Sequence, residues 1–396
     1  MFLRFLKSRL TVGLLVGVAL VACASDKKPV ARVGERLPVG GAKFLHRLQC
    51  GAQATTFAVV EPDRVRVFLA VSEDGGASWT NRSVIVEVPD NPDVGDGSLL
   101  QTRGGRLLYA YRHNLNTGEH KQSPYYSIRV RSSDDGGRSW REHSIVEEVQ
   151  VEALAPGDQQ GLWGPFLFQT LEGDIQCFYD DENRPHNEGF RRHQWIVMET
   201  WSEKKERWED PVVVARPQDV SELSRDGMPS VVELDGRLVC FFEGVEPVGD
   251  NRYRSVLRST FSDSNGKRWS WQKNGRASVY SSPGAFSSFA PHAIALSNGW
   301  LAVVFVTNED RSSLDELSVT PDHMQLDVKL VLSRDGGKSW LGPYFVDDTN
   351  HRSGIPSVVE TTPAPSALFS LFCTWVDYHD DAYFGRRIDY FSQPKR

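Results

Sequence analysis

The sequence predicts an all-β fold, a six-bladed β-propeller. Three observations carry that expectation: a turn motif that recurs at blade-length spacing, a hairpin pattern interleaved with it, and the absence of any long run with helical periodicity.

The turn motif reads Ser-x-Asp-x-Gly-x-x-Trp at Ser72 to Trp79, Ser133 to Trp140 and Ser333 to Trp340. A fourth copy, Ser262 to Trp269, has Ser264 in place of Asp, and Trp201 to Trp208 is a worn fifth; starts fall roughly 60 to 70 residues apart. These residue types suit a tight hairpin turn. Asp accepts backbone N–H bonds, Gly takes positive φ, and Trp staples the turn to its blade. The repeats resemble the Asp boxes, or BNR repeats, of sialidase-like propellers.

The second repeat is a Gly or Pro, an apolar run, a turn and another apolar run. It appears at Gly97 with Arg106 to Tyr111, at Gly164-Pro165 with Asp174 to Tyr179, and at Gly227-Met228-Pro229 with Arg237 to Phe242. Two more follow at Ala290-Pro291 with Trp300 to Phe305 and at Gly354-Ile355-Pro356 with Ala367 to Trp375. Each reads as the inner hairpin of a blade. A sixth, less regular one spans residues 44–71, and strand 386–391 is expected to close the ring with residues 30–39.

Composition narrows the function. The 396 residues are 40% hydrophobic and 24% charged, which is globular material, and the net charge of -7 has no basic block to draw nucleic acid or an anionic membrane. Arg4, Lys7 and Arg9 precede an apolar run at 10–22, too short for a spanning helix and read as a signal peptide. The run ends at Cys23 in a lipobox-like sequence, so the protein is expected to be exported and held to the cell envelope by a lipid on that thiol, or secreted. The expected organisation is 1–23 signal peptide, 24–43 linker and closing strand, and 44–396 propeller, acting as a monomer. Cys50, Cys177, Cys240 and Cys373 lack metal-ligand spacing and read as free thiols; no metal or cofactor is implied.

Topology says where a site belongs. In a four-stranded blade the start of strand one and the end of strand two share an edge, and Asp boxes, which join strands three and four, lie on the other. Function is expected where the loops of the first edge converge on the central depression. Aligning second strands on their turn glycines brings Arg112, Asp180, Glu243 and Val306 into register. Two strand ends are acidic there, Tyr179-Asp180-Asp181-Glu182-Asn183 and Phe242-Glu243, and Asn308-Glu309-Asp310 is a third cluster. Strand-one starts add Asp96, Trp163, Arg225, Asp226 and His292, with Arg47 and Arg352 on the same rim. Glycoside hydrolysis needs two carboxyl groups across a cleft, one a general acid and one a nucleophile or base. Glu182 and Glu243, on adjacent blades, are the candidate pair; the plainer alternative is that acidic strand ends are solvated turns.

The segments Leu162 to Phe168, Tyr179-x-x-Glu182-Asn183, Ser224 to Pro229 and Phe242-Glu243 resemble the exo-α-1,5-L-arabinanases of glycoside hydrolase family 93. The resemblance implies a six-bladed propeller and a retaining enzyme that releases arabinobiose from linear arabinan, with an oligosaccharide or polysaccharide as partner. By position it makes Glu182 the acid/base and Glu243 the nucleophile, and puts Trp163, Tyr179, Asn183, Arg225 and Asp226 against sugar. Alternatively, Trp163 plugs the core and Arg225 pairs with Asp226. Two other functions stay open. An exo-sialidase would need an arginine triad, recruited from Arg47, Arg112, Arg225 and Arg352, and could use Tyr390 as nucleophile; a non-catalytic glycan-binding lipoprotein would need neither glutamate.

Overall fold

The computed structural model describes residues 28–393, leaving aside 41–42, 51–52, 61–65, 89–92, 117–119, 121–122, 153–159, 220, 250–251, 312–324 and 349–352, and describes the backbone alone over 43–60. The chain opens with two short strands, β1 (Val30–Val33) and β2 (Leu37–Pro38). Blade one follows as β3 (Lys43–Cys50), β4 (Gln53–Val60), β5 (Arg66–Ser72) and β6 (Thr80–Glu87). Blade two is β7 (Asp93–Gln101), β8 (Leu107–Leu115), β9 (Tyr125–Ser133) and β10 (Arg141–Gln150). Blade three is β11 (Leu162–Gln169), β12 (Ile175–Asp181), the short helix α1 (Asn183–Asn187), β13 (Trp195–Ser202) and β14 (Arg207–Ala215). Blade four comprises β15 (Gly227–Leu234), β16 (Arg237–Gly249), β17 (Arg252–Ser262), α2 (Trp271–Asn274) and β18 (Ala277–Tyr280). In blade five come β19 (Ser288–Ala295), β20 (Leu301–Thr307), β21 (Asp327–Ser333) and β22 (Leu341–Asp347). Blade six is β23 (Ser353–Thr361), β24 (Phe369–Asp377) and β25 (Ala382–Phe391).

Each blade is an antiparallel sheet in chain order, and β1 supplies the outer strand that blade six lacks, with Val30 opposite Phe391 and Val33 opposite Ile388. Strand β2 pairs further along the same edge. The N-terminal segment thus belongs to the propeller itself, as the closing role of residues 30–39 required. Inner strands contact their neighbours in succession, and β23 contacts β3, so six blades close into a ring. Closure gathers the inner edge of each blade around the axis, where the neighbouring blades protect it. Apolar faces meet between blades; one such cluster joins Leu108, Ile128 and Val130 of blade two to Leu167, Cys177 and Val197 of blade three. Cys177, Cys240 and Cys373 are buried free thiols. Cys23 lies outside the described residues, as does the side chain of Cys50.

All five Asp-box copies join strands three and four. In the full copies the first serine's hydroxyl accepts an N–H bond from the second glycine of its pair, at 2.7 Å in Ser72–Gly76, 2.9 Å in Ser133–Gly137 and 2.8 Å in Ser333–Gly337. The aspartate accepts from the backbone four residues on, as Asp74 does from Ser78 at 2.8 Å. Where Ser264 replaces Asp, its hydroxyl accepts the same bond from Arg268 at 3.0 Å, so the turn survives the substitution. These turns lie on one face of the disc. The first-strand starts and second-strand ends lie on the other.

Candidate active site

Every inner hairpin carries the same bulge. Pairing runs regularly to Ser98–Ala110, Phe166–Phe178, Ser230–Phe241, His292–Val304 and Ser357–Thr374. It then skips two residues on the first strand and one on the second, and resumes at Gly95–Arg112, Trp163–Asp180, Gly227–Glu243, Phe289–Val306 and Gly354–Val376. The bulged residue has positive φ each time: Asp96 (44°), Gly164 (42°), Met228 (54°), Ala290 (52°) and Ile355 (44°). Four of these are not glycine, and such backbone persists only where its surroundings impose it. The bulge residues ring a neck on the axis of only ≈ 20 Å³. Below it, toward the Asp-box face, the axis widens to a channel of ≈ 520 Å³.

The bulge turns a backbone N–H toward the preceding blade. Met228 donates to both carboxyl oxygens of Asp180, at 3.1 and 3.2 Å, and Ala290 donates to Glu243 Oε2 at 2.7 Å. Asp180 and Glu243 are therefore equivalent in the propeller's repeat, each locking its blade to the next. Burial pushes the Glu243 carboxyl up from 4.5, while the Ala290 N–H and the charge of Arg225 act against that shift.

Glu182 stands beyond the end of β12 and is 3% exposed, with both oxygens engaged. Oε1 lies 2.5 Å from Arg225 Nη1, and Oε2 accepts the indole N–H of Trp163 at 3.1 Å. Arg225 reaches Glu182 because the loop before β15 is pinned to blade three. Gln194 N donates to Ser224 O at 2.8 Å and Asp226 N to Gln194 O at 3.1 Å, on either side of Arg225. The guanidinium acts electrostatically on Glu243 as well as pairing with Glu182. Two glutamates from adjacent blades thus interact with one cation, Glu182 by direct pairing and Glu243 through its field. A pair of carboxyls beside a positive group and a half-exposed indole can exchange a proton and hold a polyol.

Other residues expected at the rim divide into two groups. Trp163 lies between Glu182 and Arg112, whose guanidinium sits 5.7 Å from the ring centroid, and its ring also meets Tyr126 edge-on at 5.8 Å. Arg112 is ion-paired with Asp93 at 3.0 Å and with Asp96. His292 lines the axial neck, its Nδ1 accepting from Val358 N at 3.2 Å. Asn183 begins α1 and donates from its amide to Gly161 O at 3.0 Å. Arg47 lies on β3 opposite Thr56, and its side chain falls outside the described residues, as does all of Arg352.

Three expected sugar contacts or nucleophiles are instead interior. Tyr179 is fully buried between blades two and three, where its hydroxyl donates to Glu199 at 2.8 Å. Strand alternation decides this: Asp180 and Tyr179 point to opposite faces of β12. Tyr390 is equally buried in blade six, stacked on Phe369 with centroids 4.8 Å apart, and cannot reach a substrate from there. Asp226 is fully buried and pairs with Arg276 at 2.7 Å, not with Arg225. Glu309 is engaged by Lys329 at 2.6 Å and Tyr280 at 2.6 Å, as a structural strand end would be. The expectation from sequence missed Asp180 itself, whose register with Glu243 was the signal for it.

Solved structures share this architecture. An α-L-arabinanase of Penicillium chrysogenum, solved with arabinobiose, superposes with a TM-score of 0.61 at 17% identity over 92% of this chain and 99% of that one. The likeness is one of fold. The GH93 α-L-arabinofuranosidase of Fusarium graminearum, also with arabinobiose, gives 0.60 at 16% identity over 91% and 97%. A mutant Trypanosoma rangeli sialidase gives 0.50 at 12% identity, over 92% of this chain and 60% of that one. No protein-family model and no curated protein sequence matches the chain.

Proposed function

We propose that this propeller is a retaining exo-glycoside hydrolase that releases arabinobiose from α-1,5-linked L-arabinan or acts on a related plant cell-wall furanoside. One observation carries the reading: Glu182, paired with Arg225 at 2.5 Å, and Glu243, which feels the charge of the same guanidinium, stand on adjacent blades on the face that the Asp boxes leave free. Likeness of fold to two proteins solved with arabinobiose supports it.

In this reading Glu182 protonates the glycosidic oxygen as the leaving chain departs, and Glu243 attacks the anomeric carbon to form a glycosyl ester. Glu182 then takes a proton from water, which hydrolyses the ester. The Ala290 N–H holds one Glu243 oxygen and so aims the other. In the free protein Glu182 is ion-paired, so proton delivery requires Arg225 to let go of it, which a sugar hydroxyl competing for the guanidinium would bring about. Sialidase chemistry fits less well, since Tyr390 is interior and Arg112 is occupied by two aspartates. Export through the segment ending at Cys23 would place the enzyme where polysaccharide is found.

The deciding experiment is incubation with linear arabinan and, separately, with a sialoside reporter, followed by mass analysis of products and NMR of the first-formed anomer. Arabinobiose appearing first with retained configuration is the expected result. Cleavage of the sialoside without any arabino-oligosaccharide would sink the proposal.

A further inference from the structure

Asp180 occupies the position in blade three that Glu243 occupies in blade four, yet it faces no open space. It is 3% exposed, and two glycines make room for it: a Cβ on Gly164 would lie 2.8 Å from Oδ2, and one on Gly227 would lie 3.1 Å from the same atom. Both oxygens accept the Met228 N–H, and Met228 sits at φ 54°, three residues after Arg225. The groups acting on it are the Met228 N–H, Glu243, Arg225 and Glu182, and its own charge bears on the Cys240 thiol. It stands two residues before Glu182 and, in the next blade's register, opposite the same first-strand position as Glu243.

We propose that Asp180 is a positioning residue of this site: its two oxygens take the Met228 N–H and so fix the strained turn, three residues on, from which Arg225 reaches Glu182. The catalytic part of this rests on the glycosidase reading. The geometric part does not. Burial is the largest influence on Asp180 and pushes its carboxyl well up from 3.8, with Glu243 and Glu182 adding to that shift and the Met228 N–H and Arg225 opposing it.

The test compares Asp180→Asn, which keeps the shape and an acceptor for the Met228 N–H, with Asp180→Leu, which loses the acceptor. Hydrogen exchange at the Met228 amide should stay slow in the Asn variant and quicken in the Leu variant. The exchange readout needs no substrate, so a failure here is separable from a failure of the arabinan assay. With an active substrate, Asp180→Asn should keep kcat/KM within about threefold of wild type, while Asp180→Leu loses about a hundredfold or more, carried by kcat as well as KM. Equal Met228 exchange in both variants, or a loss in the Leu variant carried by KM alone, overturns the proposal. An Asn variant that is folded and dead at every pH overturns it too, because Asp180 would then be transferring the proton itself.

Discussion

Arg225 Nη1 and Glu182 Oε1 stand 2.5 Å apart across the boundary between blades three and four. Neither blade could build this contact alone, and the Gln194 bridge that pins the Arg225 loop is what makes it possible. Arg225→Ala should therefore leave the fold intact but free Glu182 to swing. The expected outcome is a fall in kcat/KM of about 10²-fold, carried by kcat as well as KM, because orientation and not sugar affinity alone is lost. A pure KM effect would assign Arg225 to substrate binding only.

The two glutamates separate by chemical rescue. Glu243→Ala removes the nucleophile and Glu182→Ala the acid/base, and each should cost about 10³-fold or more on an unactivated substrate. Azide added to the Glu243 variant should give a glycosyl azide of inverted configuration. In the Glu182 variant, with an activated leaving group, it should give the retained azide. Exchanged outcomes would reverse the two roles, and near-wild-type turnover in either variant would remove that residue from the mechanism.

Much of the fold was legible because Asp boxes are local: serine, aspartate and glycine satisfy one another within eight residues, whatever the rest of the chain does. The closing strand was legible from its apolar complement at the C-terminus. The bulges were not, since positive φ at Asp96, Met228, Ala290 and Ile355 is imposed by packing around the axis and leaves no glycine to mark it. Tyr179 and Tyr390 went astray for a related reason. In stretches buried on both faces, such as Ile388 to Tyr390 of β25 and most of β12, alternation of polarity disappears, and with it the sign of which residues face the site.

Between blades two and three, Glu199 is buried beside the Tyr179 hydroxyl, and burial pushes its carboxyl up to about 7, with the Tyr179 bond opposing that rise and Glu147 adding to it. Because its folded value is raised above 4.5, its contribution to stability is fully present below pH 4.5 and is lost as pH rises through 7. Glu199→Gln, neutral at all pH, should become progressively more stable relative to wild type over that window. The gain should level off on the order of 3 kcal/mol. Denaturant midpoints measured from pH 4 to pH 9 (about the span needed to cover both limits) would show a flat difference if Glu199 is ionised throughout.

The seam where the ring closes makes the sharpest stability test. Gly76, in the Asp box of blade one, lies against Phe372 of blade six: an added Cβ would meet the ring at 2.4 Å, and Trp79 stacks on that ring with centroids 6.4 Å apart. Val39, from the N-terminal segment, packs into the same cluster. Gly75, one residue earlier, also has positive φ, 75° against 97°, but nothing lies within 4 Å of its Cβ position. Gly75→Ala should then cost only the backbone penalty, about 1 kcal/mol. Gly76→Ala adds a steric overlap with a ring fixed between two blades and should cost roughly 2 to 4 kcal/mol. Adding Phe372→Leu to Gly76→Ala should recover part of that loss, although Phe372→Leu alone is destabilising. A positive coupling of this sign in the double-mutant cycle requires the two side chains to touch across the closure. Strict additivity would mean that blades one and six do not meet there.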